Sequence, residues 1–286
     1  MLILTGHRQV SFNVEFEMMT IDKIALSCSV FRPVPDENSY RHWLETIRLA
    51  GYEYVELSRR HRGFFPAALP ILRDSGLKVW SVHGILDGGA CSDDETVRND
   101  SVEKAYRWAA ETAEFAPCPL VEHYLDRFTD PAPGALFRRS IEQLYDKVSR
   151  LGFILCIETA PYKPLVNQRY PDSAEIAAFV RSFRKDDLQI TVDLNHSNLH
   201  EDLVTVIRNT RGLVRNIHVS DNHGQKEEHL PPGCGIIDFR AAFQALRENG
   251  YAGPCNLEFH FPDNPVPSAE DLREVRLQME QLLWDR

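Results

Sequence analysis

Short apolar runs rich in β-type residues alternate along this chain with amphipathic stretches, and the alternation continues to its last third. The runs are KIALSCSVF (23–31), YEYVELS (52–58), LKVWSVHG (77–84), PLVEHYL (119–125), FILCIET (153–159), LQITVDL (188–194), LVRNIHVS (213–220) and CNLEFH (255–260), eight strand candidates in all. Helical periodicity covers 38–50, 64–75, 95–115, 134–151, 173–183 and 239–249 between them. Gly51, Gly76, Gly152 and Gly250 stand just past four of these segments, where a left-handed residue commonly ends a helix. Asn38 and Ser39 open the first segment. Asp172 and Ser173 are suited to cap 173–183, with Glu175 in its first turn complementing the helix dipole.

Strict strand–helix alternation with nearly continuous apolar strands predicts a parallel sheet covered by helices. Eight such units in 286 residues predict an α/β fold closed as a (β/α)8 TIM barrel, whose usual size is about 250 residues. No G-x-G-x-x-G follows the first strand, so a dinucleotide fold is disfavoured and no organic cofactor is expected. Without a linker or composition break, residues 21–286 read as one barrel domain. Residues 1–20, with Met18 and Met19 directly before the first strand, read as an N-terminal extension outside it.

Composition adds exclusions. Hydrophobic residues at 43% and charged residues at 26% are ordinary for a globular chain. The charge balance, 32 − 42 = −10, repels phosphate backbones at long range, so nucleic acid is not the expected partner. No apolar run approaches the ~20 residues of a membrane span. The first twenty residues also lack the basic-then-apolar order of a signal peptide, so a cytoplasmic location is expected. Six scattered cysteines without a C-x-x-C point to a reducing compartment and no disulfide framework.

Barrel enzymes place their chemistry where strands end and the following loops begin. Here those positions hold His83, Glu122 and His123, Glu158, Asp193, His218 and Asp221, then Glu258 and His260. Successive intervals from 83 through 123, 158, 193, 218 and 258 are each about one strand–helix unit, so these side chains can meet at one barrel mouth. Singly, each has an ordinary reading. A histidine at a strand end is commonly a hydrogen-bonded core or loop residue, and Asp193 equally suits a helix cap. Jointly they differ. Glu158, Asp193 and Glu258 are carboxylates inside apolar strands, where an unpaired charge is not tolerated, and with His218 they ask for a divalent cation.

Three carboxylates and one imidazole suit Mn²⁺, Mg²⁺, Co²⁺ or Zn²⁺. An oxygen-rich set leans toward manganese or magnesium, and further histidines pull toward zinc. His196, three residues after Asp193, and His229, beside Glu227, are those further candidates. The stretch APYKPLVNQRYP (160–171) follows Glu158; Tyr162 and Tyr170 there suit a wall against a sugar ring, or simply a cover for a helix end. Trp80 reads as barrel core, and Trp43 and Trp108 as helix residues packed on strands.

These residues carry a resemblance. Glu158, the D-x-x-H of Asp193 and His196, the H-V-S-D of His218 to Asp221, the H-L-P-P-G-C-G of His229 to Gly235 with Asp238, and Glu258 resemble the xylose-isomerase-like barrels over roughly 22–280. That superfamily includes sugar isomerases, ketose epimerases, inosose dehydratases and apurinic endonucleases. The resemblance implies Glu158, Asp193, His218 and Glu258 as metal ligands, with His196 on substrate or a second metal. In its epimerase branch two metal-bound glutamates face opposite sides of the substrate and pass a proton α to the carbonyl through a metal-stabilised ene-diolate. Epimerases of this kind carry an Arg a few residues after the strand-seven His, whereas this chain has Asn222-His223-Gly224-Gln225-Lys226. His83, His123 and His229 match positions of additional zinc ligands in apurinic endonucleases, with Glu227 in place of an Asp.

The favoured expectation is a metal-dependent isomerase or epimerase of a sugar, polyol or keto-acid, whose partner is a small sugar-like substrate. The alternatives are a polynuclear zinc phosphodiesterase and a metal-dependent dehydratase. Against the phosphodiesterase, the mouth loops offer only Lys163, Arg169 and Lys226, opposed by Asp87, Asp93, Asp94, Glu227 and Glu228. Family barrels often pair through helical faces, so a homo-oligomer is a further expectation.

Overall fold

The computed structural model describes residues 21–126, 135–161 and 170–284. The extension read for residues 1–20 and the residues Tyr162, Lys163 and Arg169 lie outside these. The eight apolar runs become β1 (Ile24–Ser27), β2 (Tyr54–Leu57), β3 (Lys78–His83), β4 (Pro119–His123), β5 (Ile154–Glu158), β6 (Leu188–Asp193), β7 (Val214–Val219) and β8 (Cys255–Leu257). Each pairs in parallel with the next, and β8 pairs with β1, so the sheet closes. This is the expected (β/α)8 TIM barrel.

Around it run α1 (Glu37–Leu49), α2 (Ala68–Ser75), α3 (Glu95–Glu111), α4 (Ala135–Val148), α5 (Ser173–Ser182), α6 (Leu194–Asn198), α7 (Leu203–Asn209), α8 (Phe239–Glu248) and α9 (Ala269–Trp284). Their inward faces follow helical spacing; in α8, Phe239, Ala242, Phe243 and Leu246 are all buried. α1 is capped by Asp36, with Ser39 closing a capping box from the third helical position, so its start lies before the expected Asn38 and Ser39. α2 begins later than expected because residues 59–64 form a tight 3-10 turn instead. α5 carries the expected Asp172–Glu175 box. α6 and α7 were not legible as separate helices. Gly76 and Gly152 adopt left-handed conformations, as expected past helix ends.

Strand periodicity divides the chain into two interiors. Side chains such as Val55, Val82, Leu120, Ile157, Ile190 and Val219 face the helices and form the main core. Ala25, Tyr54 and Trp80 form a separate apolar cluster. The β2–β3 register passes from Val55↔Val79 to Glu56↔Ser81, skipping Trp80, and the β6–β7 register skips Arg215 between Val214 and Asn216. The two extra residues meet: the Arg215 guanidinium lies 5.3 Å from the Trp80 ring centroid. Trp80 Nε1 donates to Asn216 Oδ1 at 2.8 Å. All six cysteines are free. Among the described residues no helix is long and apolar enough to cross a membrane.

Candidate metal centre and active site

At the strand ends, nine residues singled out from the sequence meet in three groups. Glu158, Asp193, His218 and Glu258 form one, His83, His123 and Glu158 a second, and His196, Glu227 and His229 a third; within each group the donor atoms lie within 4.8 Å of one another. Glu158 belongs to two of them.

The first group sits deepest. Glu158, Asp193 and His218 are buried, while Glu258 reaches the cavity wall. His218 Nδ1 lies 2.6 Å from Glu158 Oε1, 3.0 Å from Glu258 Oε2 and 3.9 Å from Asp193 Oδ2. One ring nitrogen cannot serve three carboxylates, whereas a cation among them can. Asp193 Oδ1 caps α6, as one of its two readings expected, by accepting from His196 N at 2.8 Å, and its Oδ2 is buried without a hydrogen bond. Glu158 Oε2 is also buried without an aligned hydrogen bond, although His123 Nε2 stands 2.9 Å away. Buried carboxylate oxygens left over after capping and pairing are what a metal site requires.

The imidazoles are already oriented. A backbone carbonyl can only accept, so a ring nitrogen bonded to one carries the proton and leaves the other nitrogen its lone pair. His83 Nδ1 contacts the Gly84 carbonyl at 3.2 Å, His196 Nδ1 that of Thr159 at 2.9 Å, and His229 Nδ1 that of Glu258 at 3.0 Å. Each therefore aims Nε2 at a carboxylate: His83 at Glu258, His196 and His229 at Glu227. His218 is turned the other way. Its Nε2 is held by Glu56 Oε2 at 2.9 Å, which directs Nδ1 into the first group. Anchoring the distal ring nitrogen on a carboxylate or carbonyl is the usual outer arrangement of metal-binding histidines, and the donor set fits a divalent cation.

Local electrostatics follow from this crowding. Burial raises the Glu158 and Glu258 carboxyls, but the neighbouring imidazoles outweigh it and hold both below the usual carboxylate range. Burial dominates at Asp193, which is raised. Burial lowers His218, yet Glu56, Glu258 and Glu158 lift it well above an ordinary histidine. His196 rises to about 10, as Asp193 and Glu227 outweigh burial, and His229 to about 9, chiefly through Glu227. Protons and a divalent cation thus compete for the same lone pairs, and loading such a site releases protons.

The remaining candidates serve the scaffold. Asp221 accepts from the backbone N–H groups of Asn222, Gly233, Gly235 and Ile237 at 2.8–3.1 Å, shaping the loop that presents His229. His229 itself has φ 50°, a left-handed conformation unusual for a histidine and typical of constrained sites. Asp238 caps α8. Glu122 accepts from the N–H groups of Leu86 and Ile85, at 2.8 and 3.3 Å, and burial pushes its carboxyl up to about 8. Trp108 holds the His83 carbonyl through Nε1 at 2.9 Å. Tyr170 packs against the core, and His260 lines the rim.

Glu56 did not stand out in the sequence, and neither did Ser81 and Asn256, which share its Oε2. The same holds for Arg59 and Arg60, which line the cavity above the site. A carboxylate in the apolar run YEYVELS was an available signal for Glu56; the arginines stand in a polar stretch with no such signal.

The model of the xylose isomerase-like TIM barrel matches residues 44–279, most of the chain. The chain belongs to this family. Among curated relatives, L-ribulose-5-phosphate 3-epimerase UlaE of Salmonella paratyphi A is 25% identical over 249 residues, covering 80% of this chain and 86% of the relative. The Salmonella typhi protein of the same name matches equally. Among solved structures, the 3-keto-D-glucoside 4-epimerase YcjR from E. coli superposes with a TM-score of 0.72 at 20% identity, covering 91% of this chain and 99% of that one. An L-ribulose 3-epimerase gives a TM-score of 0.73 at 20% identity, covering 91% and 94%. At that identity the structural likeness bears on the fold.

Proposed function

We propose that this family member is a divalent-metal-dependent epimerase of a sugar-like ketose, moving a proton at the carbon beside the carbonyl. One observation carries the reading: Glu158, Asp193, His218 and Glu258, from β5 to the end of β8, converge within 4.8 Å, and two of the four are glutamates held ionised at neutral pH. The epimerase names of its relatives support it. Glu158, Asp193, His218 and Glu258 would hold the cation, which would polarise the substrate carbonyl and make the adjacent proton easier to remove.

The protein's own part is positional and protolytic. Glu258, on the cavity wall, takes the proton from one face of the α carbon. Glu158, beneath, returns one to the opposite face, and the roles exchange for a substrate of opposite configuration. The carbon loses one proton and regains one: His123, 2.9 Å from Glu158 Oε2, is placed to hand that carboxylate the proton it delivers, and Glu258 sheds the one it took to water in the cavity. Acid–base transfer of this kind typically contributes ~10²–10⁴-fold. Glu56 keeps the His218 ring from turning.

The test is α-proton exchange in D₂O over ketoses, keto-inositols and hydroxy-keto acids. Glu158→Gln and Glu258→Gln should each abolish wash-in while the circular dichroism spectrum stays native. Full exchange in both variants sinks the mechanism.

A second reading, a polynuclear metal phosphodiesterase, is favoured by the two further donor groups, His83–His123–Glu158 and His196–Glu227–His229. Mass-spectrometric metal analysis separates the two. About one ion per chain supports the epimerase, and three zinc ions with cleavage of a phosphodiester support the second.

A further inference from the structure

We propose that Arg59 and Arg60 form a seat for the phosphate of a phosphorylated ketose at the rim of this cavity. The inference rests on the epimerase reading and names its substrate class. The two arginines follow β2 directly. Ser58 Oγ accepts from Arg60 N at 3.2 Å and opens the 3-10 turn, which fixes the backbone of both arginines on the rim. Both line the same cavity, about 290 Å³, as His83, His123 and Glu258.

Among the described residues neither guanidinium lies within salt-bridge distance of a carboxylate, and Glu122 acts on Arg59 only from further away. In a chain with ten excess acidic charges, two adjacent cations without a salt bridge, on a cavity that also carries Glu227, Glu228 and Glu258, form a local positive field on one side of its rim that an anion completes. A third cation reinforces it. Arg32 donates from Nη2 to the Pro262 carbonyl at 2.8 Å while its Nε is buried without a partner. Arg32 and Arg60 both lie within electrostatic reach of His260, which also lines this rim.

Forked guanidinium donors match the oxygens of a tetrahedral phosphate. The cavity volume suits a small molecule, which favours a monoester over a polynucleotide. The gripping guanidinium expected after His218 is thus supplied from the end of β2.

The experiment compares α-proton exchange on a ketopentose 5-phosphate and on the same ketopentose without phosphate. The wild type should prefer the phosphorylated sugar. In Arg59→Gln/Arg60→Gln that preference in kcat/KM should fall by about 10- to 100-fold for each guanidinium removed, mainly through KM. Arg59→Lys/Arg60→Lys should recover part of it, keeping charge without the fork. Calorimetric binding of a pentitol 5-phosphate, which has no carbonyl, reads the seat apart from the reaction. Arginine-dependent binding with no exchange on any ketose upholds the seat and removes the epimerase reading. Equal kcat/KM for both sugars, with pentitol phosphate binding unaltered in the double glutamine variant, overturns the seat. Displacement of the pentitol phosphate by an abasic duplex that is then cleaved overturns the monoester assignment.

Discussion

Replacing Glu56 by glutamine removes one charge from behind His218 while keeping nearly the same volume. Glu56 Oε2 accepts from Ser81 Oγ at 2.7 Å, His218 Nε2 at 2.9 Å and Asn256 Nδ2 at 2.9 Å, whereas Oε1 is buried with no partner. In the Glu56→Gln variant the amide oxygen is best placed at the triple-acceptor position, so the NH₂ group falls where Oε1 now lies, away from any acceptor. Two costs follow. An unsatisfied buried donor lowers stability by about 1–3 kcal/mol. Loss of the carboxylate behind a metal-binding imidazole typically weakens metal affinity by about 10- to 100-fold, or ~1.4–2.7 kcal/mol. The assay is Mn²⁺ and Zn²⁺ binding in competition with a chromophoric chelator, alongside urea denaturation of the same samples. We expect the dissociation constant to rise within that range while the variant stays folded. Glu56→Asp, which keeps the charge but shortens the reach to Nε2, should also weaken binding. A Glu56→Gln protein with wild-type affinity for both metals would refute the argument that this carboxylate acts through His218.

Other expectations test the scaffold. A Cβ on Gly84 would lie 2.1 Å from the Glu122 carboxyl carbon, so Gly84→Ala should cost about 1–3 kcal/mol in urea denaturation and disturb the adjacent His83; an unchanged midpoint would contradict the packing. His61 is buried beside Trp43, donates from Nε2 to the Phe31 carbonyl, and is held down to about 4 from 6.5 chiefly by burial. Because its folded-state pKa lies below the unfolded one, its contribution is whole above pH 6.5 and is lost as the pH falls toward 4. The loss is about 3 kcal/mol, and acid titrations of stability in wild type and His61→Phe should differ by that amount across this window.

Much of the barrel was legible because buried strands exclude charge. Glu158, Asp193 and Glu258 stood out for that reason, and strand spacing brought them to one end. Glu56 escaped because its stretch also holds Glu53, which is exposed, and because its partner His218 lies 162 residues away. Which glutamate faces inward depends on register, and local composition does not encode it. Arg59 and Arg60 sit in S-R-R-H-R, which reads as a solvated surface until the 3-10 turn folds it over the cavity. The six cysteines and the glycine stops were readable from local chemistry alone. α6 has five residues, too few for helical periodicity to register, and its start is set by the Asp193 cap.

The paired register skips at Trp80 and Arg215 make the site a matter of phase as well as composition. Side chains in a strand alternate between faces, so an extra residue would exchange every face beyond it unless a bulge takes it up, as happens at both positions. Losing Trp80 would leave Val55↔Val79 and Glu56↔Ser81 as neighbouring pairs of a regular ladder, with Ser81 and His83 still facing the barrel interior. Losing Arg215 would likewise leave Asn216 opposite Thr191 and His218 opposite Asp193. An alignment that forbids a gap inside a strand would then misplace the very columns that carry the chemistry. In this barrel a single extra codon in mid-strand is absorbed by the ladder, and the active site keeps its face of the sheet.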